Sequence, residues 1–61
     1  MENYLLKTLT KRSKLTVANE RWATAHDAMK FISAYAKEKH PFEVWRMDDG
    51  GKMSLIVREL F

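Results

Sequence analysis

The sequence predicts an α+β domain of order β-β-α-β-β, with an antiparallel sheet and one helix packed on one face. Three observations carry this. Only the stretch from Thr24 to Lys39 repeats its apolar residues at helical spacing. The segments before and after it are rich in β-branched and aromatic residues at strand-like alternation. With 2 glycines and 1 proline in the whole chain, each of these residues marks a boundary. Hairpins on both sides of a lone helix imply an antiparallel sheet. One helix covers one face, and such a sheet tolerates a second face left free.

Tyr4 to Thr10 reads as the first strand, since Thr8 and Thr10 suit a pleated surface. Leu5 and Leu9 share one face with Lys7 between them, while Tyr4 and Leu6 point to the other. Lys11-Arg12-Ser13 is a polar break. Lys14 to about Trp22 reads as the second strand, with Leu15 and Val17 alternating with Thr16 and Ala18. The alternation blurs at Asn19-Glu20-Arg21, which predicts a bulge or strand end that re-aims Trp22.

Thr24 suits the cap of a helix, because its hydroxyl accepts a bond from a first-turn amide. Asp27, three residues on, can reach back as in a capping box and faces the positive end of the dipole. The helix is expected to run to about Lys39. Ala25, Ala28, Met29, Ile32, Tyr35 and Ala36 form its apolar stripe, with Phe31 at the flank. Lys37, Lys39 and His40 suit the negative end, and Pro41 stops the helix.

Phe42 to Met47 reads as the third strand and Lys52 to Leu60 as the fourth. Asp48-Asp49-Gly50-Gly51 is the turn between them. A two-residue loop at Asp49-Gly50 sets Val44 opposite Leu55 and Phe42 opposite Val57. A slip of one residue would exchange the faces.

The chain of 61 residues is one domain, residues 1–61. A domain this short buries only about 60% of its unfolded surface, so its core is marginal. There is no cysteine, which excludes disulfides and a cysteine-rich zinc site. A core of large side chains or self-association remains, and a hydrophobic content of 46% suits both. Met1-Glu2-Asn3-Tyr4 has an acid where a secretion signal is cationic. Apolar runs such as Leu55-Ile56-Val57 fall far short of the ~20 residues that span a bilayer. The expectation is a soluble, cytoplasmic protein with no membrane partner. A net charge of +3 permits attraction to nucleic acid or to an acidic protein face, and argues against a mimic of DNA.

No catalytic constellation is legible. Ser13, Ser33 and Ser54 have no histidine linked to them by a short motif. His26 and His40 sit at opposite ends of the helix, roughly 20 Å apart, and cannot share a metal or a proton. Asp48 and Asp49 are explained by turn chemistry, and Gly50-Gly51 is not a phosphate loop. The chain therefore reads as non-enzymatic, with no cofactor and no metal.

Three surfaces remain. If Val44 and Leu55 face the helix, Trp45, Met47 and Ile56 face away and offer an aromatic patch of the kind that anchors partners. Trp45 fits such a patch as well as it fits a core. Trp22 fits the core better, because so small a domain needs its largest side chains inside. Lys7, Lys11, Arg12 and Lys14 gather cations near one hairpin tip, which suits phosphates or an acidic surface, or simply a solvated turn. Arg46 and Arg58 on the second hairpin suit an interface, or cross-strand pairing with Glu43 or Glu59.

Residues 14 to 47 resemble the small RNA polymerase inhibitors of T7-like phages. The resemblance rests on a hairpin, then Thr24, Asp27 and Ala28 opening a short helix, then the strand Phe42-Glu43-Val44-Trp45-Arg46. It implies a stoichiometric inhibitor of host transcription acting in the host cytoplasm, with Arg46 at the polymerase. The chain departs from the family in having Asp48 where a second arginine stands, and in adding a fourth strand. The leading expectation is a phage-type protein-binding module that inhibits or modulates a larger host protein through Trp45, Arg46, Met47, Ile56 and Arg58. A basic nucleic-acid binder using the Lys7–Lys14 turn and a structural homodimer or higher homo-oligomer are the alternatives.

Overall fold

A computed structural model describes residues 1–11 and 15–61, with the backbone alone for Lys11 and Leu15. Its elements are β1 (Tyr4–Lys11), β2 (Leu15–Ala23), α1 (Ala25–Lys37), β3 (Phe42–Met47) and β4 (Met53–Glu59). The order is β-β-α-β-β, an α+β domain with one antiparallel sheet arranged β2-β1-β3-β4. β2 and β3 each run antiparallel to β1, so they are parallel to one another with β1 between them. The helix carries the chain from the edge strand β2 over β1 to the inner strand β3, a split β-α-β crossover. It therefore lies over the inner strands β1 and β3.

The helix begins where the cap residue dictates. Thr24 is extended (φ −78°, ψ 167°), and its hydroxyl accepts the Asp27 amide at 3.2 Å. The helix ends at Lys37, two residues before the expected Lys39. The cause is a left-handed turn at Lys39, where φ is 55°. The Lys39 amide donates to the Ala36 carbonyl at 3.1 Å, and the His40 amide to the Tyr35 carbonyl at 3.0 Å. These two bonds make a Schellman motif, a position that glycine normally holds. Pro41 then bars any continuation.

The buried stripe of the helix is rotated from the expected one. Ala28 and Phe31 are buried, and Ile32 and Tyr35 pack against the core, a spacing of i, i+3, i+4, i+7. Met29 is 67% exposed, and Ala25 and Ala36 are exposed too. Phe31, read as a flank, is the pivot. It meets Phe42 edge-on with ring centroids 5.6 Å apart, and stacks with Tyr35 at 4.3 Å. Leu6, Phe42 and Val44 are the largest fully buried side chains beneath it. Burying each stabilises the fold by about 1.5–3 kcal/mol.

The second hairpin departs from the expected register twice. Its loop has three residues, Asp49-Gly50-Gly51, closed by the Asp48 amide donating to the Lys52 carbonyl at 3.0 Å. Gly51 takes φ 83°, the left-handed residue such a loop requires. Asp48 Oδ1 accepts from the amides of Gly50 and Lys52, both at 2.9 Å, which fixes this turn over the shorter one. Ile56 is then an extra residue at a bulge, so Val44 pairs with Val57 and Phe42 with Glu59. The longer loop turns Leu55 away from Val44 and sets it opposite Trp45. The first hairpin has its own bulge at Ala18, upstream of the expected place, and β2 continues to Ala23.

Candidate protein-binding face

Register decides which residues occupy the sheet face away from the helix, called the far face below. Leu6 and Val44 are paired and buried in the core, so their neighbours Leu5 and Trp45 turn the other way. Directly paired residues share a face. Trp22, Leu5, Trp45 and Leu55 consequently form one row across all four strands. Glu20, Lys7, Glu43 and Arg58 form a second row beside it. Met47 and Met53 pair on the other side, toward the β3–β4 loop. Trp22 and Leu55 are 43% and 45% exposed, and Leu5, Trp45, Met47 and Met53 are half-buried.

Two residues of the charged row, Lys7 and Glu43, hold Trp45 in place. Trp45 Nε1–H donates to Glu43 Oε1 at 2.9 Å, and Arg58 Nε lies 3.0 Å from Glu43 Oε2. Lys7 Nζ sits 5.4 Å from the Trp45 ring centroid and 3.8 Å from Glu20 Oε2. In each pair one side chain is open to water, Glu20 at 54% and Arg58 at 49%, so solvent screens the attraction and its contribution to stability is small. Their effect here is positional. The Trp45 indole is held from two sides, by Glu43 at its ring nitrogen and by Lys7 over its ring.

The expected site residues divide. Trp45, Met47 and Arg58 are brought together on the far face. Arg46 is not, because it pairs with Tyr4 and Ser54 on the helix side, where it is exposed. Ile56 is the bulge residue and is 52% exposed. Trp22, read toward the core, stands on the far face. Ala23 takes the core position instead at 1% exposure, joining Ala28 and Phe31 of the helix. Lys7 is not at the hairpin tip but mid-strand, between Glu20 and Glu43. Arg12, Lys14 and the Lys11 side chain lie outside the described residues. Leu5, Glu20, Glu43, Met53 and Leu55 were missed as face residues. Alternation along β1 already separated Leu5 from Leu6, but only the register joins it to Trp22 and Trp45.

On the helix side, a half-open cleft of about 330 Å³ lies between α1 and β2, floored by Leu6 and Phe31 and edged by Arg21, Asp27 and Lys30. It exists because the helix covers the inner strands and, apart from Ala23 at its end, leaves β2 uncovered. Among the described residues, no three His, Cys, Asp or Glu side chains gather as metal ligands, and no helix is long and apolar enough to cross a membrane. No protein-family model, curated protein or solved structure matches the chain.

Proposed function

We propose that this chain is a non-enzymatic protein-binding module whose working surface is the far face of its sheet. The observation that carries the reading is the row Trp22–Leu5–Trp45–Leu55, apolar across all four strands and left uncovered by the single helix. Tryptophan is enriched among the residues that dominate binding energy, and a charged border suits the rim of such a patch. In its finer form the reading is a phage-type stoichiometric inhibitor or modulator of a larger host protein. The resemblance to phage inhibitors of RNA polymerase makes the transcription machinery the first partner to test. Arg46 then belongs to a different surface from Trp45, so a partner touching both must wrap an edge of the sheet.

The test is affinity capture from bacterial lysate, with and without nuclease. Wild type should retain one dominant protein after nuclease treatment. Trp45→Ala should lose it while keeping the far-UV circular dichroism of the wild type. Capture by Trp45→Ala equal to wild type would sink the reading. Capture that vanishes with nuclease would move it to nucleic acid, whose binding should fall steeply with salt.

A further inference from the structure

We infer that the far face is shaped to receive a second copy of this chain. The inference rests on reading that face as the protein-binding surface, and it names the occupant in the free protein.

The two rows share one property. Read across the sheet from β2 to β4, the apolar row runs Trp22, Leu5, Trp45, Leu55, which is large, smaller, large, smaller. The charged row runs Glu20, Lys7, Glu43, Arg58, which is minus, plus, minus, plus. Both sequences invert when read backwards. A twofold axis along the strands, midway between β1 and β3, performs that reversal. It lays β2 over β4 of the second copy and β1 over its β3. Every tryptophan then meets a leucine, and every carboxylate meets a cation. Had the charges run minus, plus, plus, minus, the same axis would set like against like.

Geometry and desolvation agree with this arrangement. Sheets pack face to face about 10 Å apart with strands nearly aligned, a separation that interdigitated Trp and Leu side chains fill. Each charge already has a partner in its own sheet, Lys7 with Glu20 and Arg58 with Glu43. Closure therefore strands no lone ion. The face is small. Four strands about 4.8 Å apart and three rows of side chains span about 19 by 20 Å, roughly 400 Å², near half of what a standard interface takes from each partner. The dimer is accordingly weak and rapidly exchanging. It covers the tryptophans in the free protein and yields them to a tighter partner.

Sedimentation velocity tests this with the intact chain, from about 10 μM to about 1 mM, a range suited to an interface of this size. The wild-type weight-average mass should rise from monomer toward dimer. Trp22→Glu and Leu55→Lys sit at exposed positions, so the fold should persist, and each alone should stay monomeric. Mixed in equal amounts, they should dimerise again. The introduced carboxylate then faces the introduced ammonium at one end, and a wild-type leucine meets a tryptophan at the other. A wild type that is monomeric throughout would overturn the proposal, as would single variants that dimerise like wild type or a mixture that stays monomeric. These outcomes are separable from the function test. Lysate capture lost in Trp45→Ala, with a monomeric wild type, retains the binding face and removes the second copy. Dimerisation with capture unchanged by Trp45→Ala does the reverse.

Discussion

Replacing Lys39 with glycine should stabilise the protein. Lys39 holds the left-handed position of the Schellman turn at φ 55°. An L side chain there costs about 1–2 kcal/mol, which glycine does not incur. Glycine loses about 0.5–1 kcal/mol more backbone entropy on folding. Removing the cation from the C-terminal end of the helix dipole costs about 0.3 kcal/mol or slightly more. The net gain is about 0.5 kcal/mol, with an upper bound near 1. For a domain of this size, 1 kcal/mol moves the melting temperature by about 4–8 °C, so an increase of about 2–4 °C is expected. Thermal melts followed at the helix band measure it. Lys39→Ala is the control, because it removes the same charge and keeps the strained backbone. It should melt at or below the wild type. Lys39→Gly melting no higher than Lys39→Ala would refute the assignment of strain to this residue.

Other consequences follow from single contacts. Asp48→Ala removes the acceptor of the Gly50 and Lys52 amides. It should destabilise by about 1–2 kcal/mol in urea titration, while Asp48→Asn, which keeps an oxygen in place, should recover most of the loss. Equal midpoints for Asp48→Ala and wild type would contradict the turn geometry. Phe42→Ala empties the centre of the core, where Phe42 is 0% exposed. A loss of about 3–5 kcal/mol is expected against a total stability of about 3–9 kcal/mol for a chain this long. The variant should unfold at a far lower urea midpoint than the wild type, and a cooperative transition near the wild-type midpoint would count against this core. Thr24→Ala removes the cap bond to the Asp27 amide and should cost about 1 kcal/mol, measured the same way.

The elements were legible because each is written locally. Thr24 and Pro41 bracket the helix, and Asp48 to Gly51 marks the hairpin. The alternation of Leu5 with Leu6 and of Val44 with Trp45 correctly separated the two faces of β1 and β3. What was not legible is pairing. Alternation says which residues share a side, but not which strand lies next to which. The order β2-β1-β3-β4 arises from the helix crossing β1, a non-local event. The loop length depended on Asp48 satisfying two amides, and the bulge at Ile56 has no signature in residue type. Together these moved Leu55 to the far face. Trp22 was misplaced by a sound prior about large side chains, overruled by a steric fact. The position beneath the start of the helix goes to Ala23, so alternation sends Trp22 outward. Lys7 likewise looked like part of a basic turn in sequence, and stands instead in a row of alternating charge.

If partners bind on the far face and not on the helix, a charge placed on each surface tells the two apart. The most direct measurement compares lysate capture by two variants with one charge each placed on an exposed apolar residue. Leu55→Glu alters the far face, and Met29→Glu alters the outer surface of the helix, at positions 45% and 67% exposed. Both should fold. Leu55→Glu should lose the dominant captured protein, and Met29→Glu should retain it at the wild-type level. Loss in Met29→Glu with retention in Leu55→Glu would place the binding surface on the helix instead.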